Sequence, residues 1–137
     1  MQLLFPESDS PREIPQIPGL QYFPDFLSSE EQTAIWKSVN ASPWLTDLKR
    51  RVQHYGYKYD YKARLINYSQ KIGELPQWSH FICDRIIENG WMKYPDQLIV
   101  NEYQPGQGIS AHIDCEPCFE ETILSVSLGS VCQMDFV

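Results

Sequence analysis

The spacing of apolar residues changes along the chain, and this change limits the folds open to it. Before residue 96, two stretches repeat apolar residues at helical spacing, whereas from Asp96 onward the pattern is typical of β-strands. Two helices followed by strands indicate a domain in which helices cover one face of an antiparallel sheet. We therefore predict the α+β fold class.

Both helices are predicted from local signals at their ends. Ser28 and Glu31 form a capping box ahead of a helical repeat, which predicts a first helix over residues 29–40. A second helix is indicated by Pro76 at its first turn and by Asn89-Gly90 at its end. The predicted apolar face of this second helix comprises Trp78, Phe81, Ile82 and Ile86.

Extended segments are predicted before and after the second helix. The later ones are DQLIVNEYQ, AHID, TILSVSLGS and VCQMDFV. The earlier one, VQHYGYKYDYKARL, has tyrosines at positions 55, 57, 59 and 61, so a continuous extended backbone would put four rings on one face. Such a face suits base stacking, and it equally suits ordinary packing in a β-hairpin.

The size and composition of the chain predict one domain in a reducing compartment. With 137 residues we expect an extended arm over residues 1–18, rich in proline, and one domain over residues 19–137. No apolar run approaches the roughly 18 residues of a membrane span, and no secretory signal is evident, so we expect a cytoplasmic protein, or a nuclear one in a eukaryote. In that setting the four cysteines, including the Cys115-x-x-Cys118 pair, are predicted to be free thiols rather than disulfides or a zinc site.

Positive charge is concentrated in one short segment of an otherwise acidic chain. The net charge is -7, yet six of the eleven basic residues lie between positions 49 and 64, where Asp60 is the only acid. This segment predicts a local anion-binding surface beside the tyrosines, with a solvated loop as the alternative.

The pair His112-x-Asp114 carries the clearest chemical signal. On an extended backbone both side chains point to the same side and can reach one metal ion, as in the two-His-one-carboxylate site of Fe(II) oxygenases. The pair alone is a weak motif because chance alone often produces it.

The surrounding sequence resembles a known family. The stretch NEYQPGQGISAHIDCEPCFEETILSVSLGSVCQMDF resembles the AlkB family of Fe(II)/2-oxoglutarate-dependent dioxygenases, and within it the members that act on transfer RNA. RRVQHYGYKYDYKARLI is similar to the family's nucleotide-recognition lid, and PGLQYFPDFLSSEEQ to its N-terminal entry helix. The resemblance covers about residues 14–137.

This resemblance implies a fold and a cofactor site. The fold would be a partial double-stranded β-helix, or jelly roll, with the N-terminal helices packed on the sheet. His112 and Asp114 would be catalytic iron ligands, while Asn101 and Tyr103 would hydrogen-bond the 2-oxoglutarate.

The resemblance also implies a nucleic-acid substrate, DNA or RNA. Arg50, Arg51, Tyr55 and Tyr57 would border it, with the rings stacking on a base and the guanidiniums meeting phosphates. The reaction would be oxidative demethylation or hydroxylation of a base, in DNA repair or tRNA modification.

The chain departs from the family pattern on its C-terminal side. The family has another iron-binding His and cofactor-binding Arg residues downstream of H-x-D, whereas His54 and His80 precede the motif and no Lys or Arg follows Lys93. We therefore expect a C-terminally incomplete domain with weak iron binding and low stability, whose apolar edge at residues 131–137 favours self-association. Two alternatives remain: a catalytically incompetent domain that binds nucleic acid or protein, and a small cupin-like ligand binder.

Overall fold

Two helices and four strands make up the part of the chain that this computed structural model describes, which is residues 14–60, 65–114 and 122–136. In chain order the elements are α1 (Ser29–Asn40), β1 (Arg51–Tyr55), β2 (Tyr57–Asp60), β3 (Leu65–Lys71), a 3₁₀ turn (Gln77–Ser79), α2 (His80–Glu88) and β4 (Leu98–Glu102). The α+β prediction is confirmed. Of the predicted arm, residues 1–13 lie outside the described residues, and residues 14–18 contain neither helix nor strand.

Helix α1 begins where its capping box predicts. The backbone N–H of Glu31 donates to Ser28 Oγ at 3.1 Å, and the backbone N–H of Ser28 donates to Glu31 Oε1 at 2.9 Å. Ile35 and Val39 then face the core, with 1% and 7% of their surfaces exposed. Full burial of one such side chain contributes about 1.5–3 kcal/mol, so packing holds the helix more firmly than its cap does.

Helix α2 is preceded by a 3₁₀ turn that the sequence pattern had merged with it. Ser79 closes this turn by donating both its backbone N–H and its hydroxyl to the Pro76 carbonyl, at 2.9 and 2.7 Å. Ile82, Cys83 and Ile86 are the buried residues of α2. The predicted apolar face is therefore divided between two elements, with Trp78 on the turn.

The core lies where the two helices meet. Its buried members are Leu27, Ile35, Val39, Ile82 and Ile86. Half-buried residues pack around them from the rest of the chain, including Trp44, Val100 and Leu128. Because Val100 lies on β4, the core links the helices to the strand that precedes the H-x-D segment.

The strands form two antiparallel pairs. β1 pairs with β4, in a register that sets Arg51 opposite Glu102 and Val52 opposite Asn101. β2 pairs with β3, with a register shift between Tyr57 and Tyr59. This arrangement brings Arg50 and Arg51 of the basic segment beside β4 and therefore next to the predicted cofactor residue Asn101.

Tyr55 and Tyr57 do not lie on one continuous strand, because the extended backbone is interrupted at Gly56. Gly56 has φ of 80°, which ends β1, and the chain resumes as β2 in the other sheet. Tyr55 turns inward: its hydroxyl donates to Gln53 Oε1 at 2.6 Å, and its ring meets Trp78 edge-on at 6.2 Å. Tyr61 lies outside the described residues.

The strands predicted after β4 are not formed within residues 103–114 and 122–136. A β-strand is stabilised by hydrogen bonds to a neighbour, and these segments lie beside no strand in the part of the chain that is described. Several of their apolar side chains are exposed, including Ile113 at 82% and Val131 at 67%, although Leu128 packs on the core. The described residues thus form a smaller sheet system than the predicted jelly roll.

The described residues contain neither a membrane-spanning helix nor a disulfide. Within residues 14–60, 65–114 and 122–136, no helix has the length and apolarity that crossing a bilayer requires. Cys83 is buried, and burial raises the pKa of its thiol, while Cys132 is exposed; both are free thiols. Cys115 and Cys118 lie outside the described residues.

Candidate metal and cofactor site

His112 and Asp114 lie side by side after a glycine-containing loop. His112 Nε2 lies 3.6 Å from Asp114 Oδ1, as expected for side chains two residues apart on extended backbone. Both are substantially exposed, at 49% and 61% of their side-chain surfaces. The two groups are therefore adjacent to each other and open to a ligand from solvent.

The other nitrogen of His112 has a backbone partner. Nδ1 lies 2.9 Å from the carbonyl oxygen of Ser110. A carbonyl only accepts, so this contact puts a proton on Nδ1, and in the neutral ring the lone pair is then on Nε2. Metal-binding histidines commonly have such a backbone partner, which fixes the tautomer and the orientation of the ring.

The resulting pair presents two electron-pair donors to the same space. With metal-ligand bonds of about 2.1 Å, two adjacent ligands of an octahedral ion lie about 3 Å apart, close to the separation of Nε2 and Oδ1. His112 and Asp114 therefore fit two ligand positions of one iron ion. Among residues 14–60, 65–114 and 122–136, no group of three or more His, Cys, Asp or Glu is arranged to hold a metal.

The two other histidines lie on different elements. His54 is on β1, and His80 is the exposed first residue of α2. Both thus remain outside the H-x-D segment, as the sequence analysis expected.

Asn101 and Tyr103, the predicted 2-oxoglutarate residues, lie at and just beyond the end of β4. Asn101 is exposed, and its Oδ1 accepts a hydrogen bond from Arg50 Nε at 3.1 Å. Tyr103 is 43% exposed and immediately follows the last residue of β4. On extended backbone this spacing puts both side chains on one side, where they can act on one ligand.

The loop between β4 and His112 is held by glutamine side chains. The Gln104 backbone N–H donates to Gln107 Oε1 at 2.8 Å, and Gln107 Nε2 donates to the Lys49 carbonyl at 3.2 Å. The loop is therefore joined to the residue immediately before Arg50.

Arg51 forms an ion pair with Glu102 of β4. Its Nε and Nη2 donate to the two carboxylate oxygens of Glu102 at 2.8 and 2.7 Å, and its guanidinium lies 4.5 Å from the centre of the Trp44 ring. The hydrogen bond from Arg51 lowers the pKa of Glu102, and that from Glu102 raises the pKa of Arg51. Arg51 was predicted to border the substrate; its ion pair with Glu102 was not predictable from the sequence, because it depends on strand register.

Tyr57 differs from Tyr55 in its surroundings. It lines a cleft of about 300 Å³ together with Lys71, His80 and Tyr94. Of the two predicted stacking rings, Tyr57 borders open space, whereas Tyr55 packs on Trp78 and bonds to Gln53.

The chain is similar to one known family and to several known proteins. Residues 45–137 match the 2OG-Fe(II) oxygenase superfamily. The "Alkylated DNA repair protein ALKBH8 homolog" of Arabidopsis thaliana is 42% identical over 126 residues, covering 88% of this chain and 36% of that protein. The "tRNA (carboxymethyluridine(34)-5-O)-methyltransferase ALKBH8" of Mus musculus is 40% identical over 131 residues, covering 87% of this chain and 19% of that protein.

A third relative is named for a different activity. The "Probable RNA/DNA demethylase ALKBH6" of Danio rerio is 31% identical over 124 residues, covering 87% of this chain and 50% of that protein. The chain thus spans between about a fifth and a half of the length of these relatives. No solved structure is detectably similar to it. Because the superfamily match covers more than half of the chain and the relatives are AlkB homologues, the chain belongs to the 2OG-Fe(II) oxygenase superfamily as an AlkB-like member.

Proposed function

We propose that this chain provides the Fe(II)- and 2-oxoglutarate-binding part of an oxygenase that oxidises a nucleic-acid base. The observation that carries the proposal is the His112 and Asp114 pair, whose donor atoms converge at 3.6 Å while the Ser110 carbonyl holds the histidine tautomer. Iron with 2-oxoglutarate and O₂ supplies the oxidising power for hydroxylation or for removal of an N-methyl group. His112 and Asp114 would hold the iron.

The remaining residues would bind the organic partners. Asn101 and Tyr103 would donate hydrogen bonds to oxygens of 2-oxoglutarate. For the nucleic acid we assign base stacking to Tyr57 in preference to Tyr55, because Tyr57 borders a cleft. Arg50 and Arg51 would add positive charge near the substrate, although both also bond to β4.

Transfer RNA is the first substrate to test. The mouse relative is named for a modified uridine in tRNA, and the zebrafish relative for RNA and DNA demethylation. Both names fit a nucleic acid whose base must be unstacked to reach a buried or enclosed reaction centre. We therefore propose an unpaired tRNA base, with single-stranded DNA as the comparison substrate.

The affinity for a divalent metal ion tests directly whether His112 and Asp114 form a metal site. We expect His112→Ala to weaken Co(II) binding by about tenfold or more, because a ligand is lost, with an unchanged far-UV circular dichroism spectrum. Titration of Co(II) followed by its visible absorption measures this affinity. His80→Ala is the matched control, since His80 is also exposed, and it should bind Co(II) as the wild type does. Equal Co(II) affinity in wild type and His112→Ala would contradict the proposed site.

Turnover tests the reaction. The full chain is incubated with Fe(II), 2-oxoglutarate and tRNA, and both succinate and the modified nucleosides are measured by mass spectrometry. We expect succinate formation that depends on Asp114 and an oxidised nucleoside that appears with it. RNA binding with no binding of 2-oxoglutarate would instead favour the non-catalytic binding module.

A further inference from the structure

Three consecutive residues before and at the start of β1 are bonded to β4 and its following loop. The Lys49 carbonyl accepts from Gln107, Arg50 donates to Asn101, and Arg51 donates to Glu102. We call Lys49, Arg50 and Arg51 the 49–51 clasp. Part of the positive charge that the sequence analysis assigned to nucleic acid is thus used to hold the strand and loop that lead to the H-x-D pair.

The hydrogen bond from Arg50 determines the orientation of the side-chain amide of Asn101. Asn101 lies opposite Val52, and Arg50 lies two residues before Val52, so Arg50 reaches Asn101 along the same side of the strand pair. A guanidinium has only donors, so the Asn101 atom that faces Arg50 Nε at 3.1 Å must be the oxygen. The Asn101 Nδ2 amide is consequently turned away from Arg50, and the described residues offer it no acceptor.

We propose that Arg50 is a positioning residue, which holds the Asn101 amide so that Nδ2 donates to a carboxylate or keto oxygen of 2-oxoglutarate. This inference rests on the proposed function, since it assumes that 2-oxoglutarate binds beside Asn101. An exposed asparagine would otherwise sample several rotamers and both amide orientations. Fixing one of them before the ligand arrives lowers the entropic cost of binding.

Arg51 provides an internal comparison because its partner has no predicted ligand role. It pairs with Glu102 through two hydrogen bonds and covers Trp44, so its contribution is to the stability of the strand pair. Removal of Arg51 should therefore lower stability without selectively affecting the ligand. Removal of Arg50 should weaken ligand binding, because it removes the hydrogen bond that orients Asn101.

The test measures 2-oxoglutarate binding without turnover. The full chain is loaded with Mn(II), and 2-oxoglutarate is titrated by calorimetry. We expect Arg50→Met to weaken 2-oxoglutarate binding about five- to tenfold, as expected for loss of one well-oriented hydrogen bond, while Mn(II) affinity changes less than about twofold. Arg50→Lys keeps a donor within reach and should recover part of the affinity.

Two further variants distinguish a positioning role of Arg50 from a general loss of stability. Arg51→Met should lower the melting temperature, because it removes two hydrogen bonds to Glu102 and the contact with Trp44. The double variant Arg50→Met with Asn101→Ala should bind no more weakly than Asn101→Ala alone, since Arg50 acts through Asn101. Additive losses in the double variant, or unchanged affinity in Arg50→Met, would overturn the inference alone. A wild-type chain that binds Mn(II) but no 2-oxoglutarate would overturn the proposed function together with it.

Discussion

Gly56 is the residue at which β1 ends and β2 begins. Its φ of 80° lies in the left-handed region, and a Cβ at this position would overlap the carbonyl oxygen of Asp96. The neighbouring segment therefore approaches β1 and β2 more closely than any side chain at residue 56 would permit. A single residue thus separates the strand that faces β4 from the strand that pairs with β3.

We expect Gly56→Ala to destabilise the protein by about 3 kcal/mol or more, because it adds both backbone strain and a steric overlap. Gly19→Ala is the matched control, since Gly19 has φ of 82° with open space around its Cβ position. That variant should cost only the left-handed strain of about 1–2 kcal/mol. Urea denaturation measures both, and equal losses would show that the Asp96 overlap is relieved without cost.

Gln53 also has a structural role, which the spacing of apolar residues in the sequence does not predict. It is 2% exposed, and its Nε2 donates to the Val39 carbonyl at 2.8 Å, near the end of α1. Its Oε1 accepts from the Tyr55 hydroxyl. A buried glutamine thus joins β1 to a helix end whose carbonyls have no partner within the helix.

At the scale of elements, the two helices are joined by Arg85 of α2 and Glu31 of α1. Arg85 Nη2 lies 2.6 Å from Glu31 Oε2, and Arg85 Nη1 also donates to the Phe26 carbonyl at 2.8 Å. Glu31 belongs at the same time to the capping box with Ser28. One carboxylate therefore caps α1 and binds α2, so its ionisation affects both.

The pH dependence of stability should reflect Glu31. Its pKa is lowered from 4.5 to about 2, first by the hydrogen bond from Arg85 and then by the Ser28 backbone N–H. A carboxyl with a lower pKa in the folded state stabilises that state above pH 4.5, and this contribution is lost as the pH falls from 4.5 to about 2.

We expect Glu31→Gln to lower the melting temperature near pH 6 and to flatten its dependence on pH in that acidic range. Thermal denaturation followed by circular dichroism from about pH 2 to 6 makes the comparison. Glu30→Gln, in the same first turn, is the matched control and should keep the wild-type slope. An undiminished acid-sensitive slope in Glu31→Gln would assign that sensitivity to other carboxylates.

At the scale of the whole molecule, apolar surface is concentrated after β4. Val131 is 67% exposed, Met134 62% and Phe136 49%, although Leu128 of the same segment packs on the core. Several exposed apolar side chains within one short segment favour association with another protein surface. The net charge of -7 opposes association through general repulsion, so the apolar contact must outweigh it.

We expect the chain to self-associate through residues 131–136. Val131→Asp should lower the weight-average mass measured by analytical ultracentrifugation at a fixed protein concentration, because it puts a charge into the apolar surface. Ser130→Asp adds the same charge beside it without removing an apolar side chain, and should have a smaller effect. Equal effects of the two variants would attribute the change to charge alone.

Much of the helical half was predictable from the sequence because its signals are local. The Ser28 and Glu31 cap lies within one helical turn, and the buried faces of both helices follow a repeat of three to four residues. The proximity of His112 and Asp114 was predictable for the same reason, since extended backbone directs side chains two residues apart to one side.

The sequence by itself therefore determined the two helices, the cap of α1 and the H-x-D pair. Only the tertiary structure decided that Arg51 lies opposite Glu102 and that Arg50 reaches Asn101, because strand register joins residues about fifty positions apart. It also decided which apolar segments became strands: β4 has β1 as its neighbour, whereas residues 122–136 have none among the described residues. Alternating apolar residues indicate a capacity to form a strand, and hydrogen bonds to a partner are required to realise it.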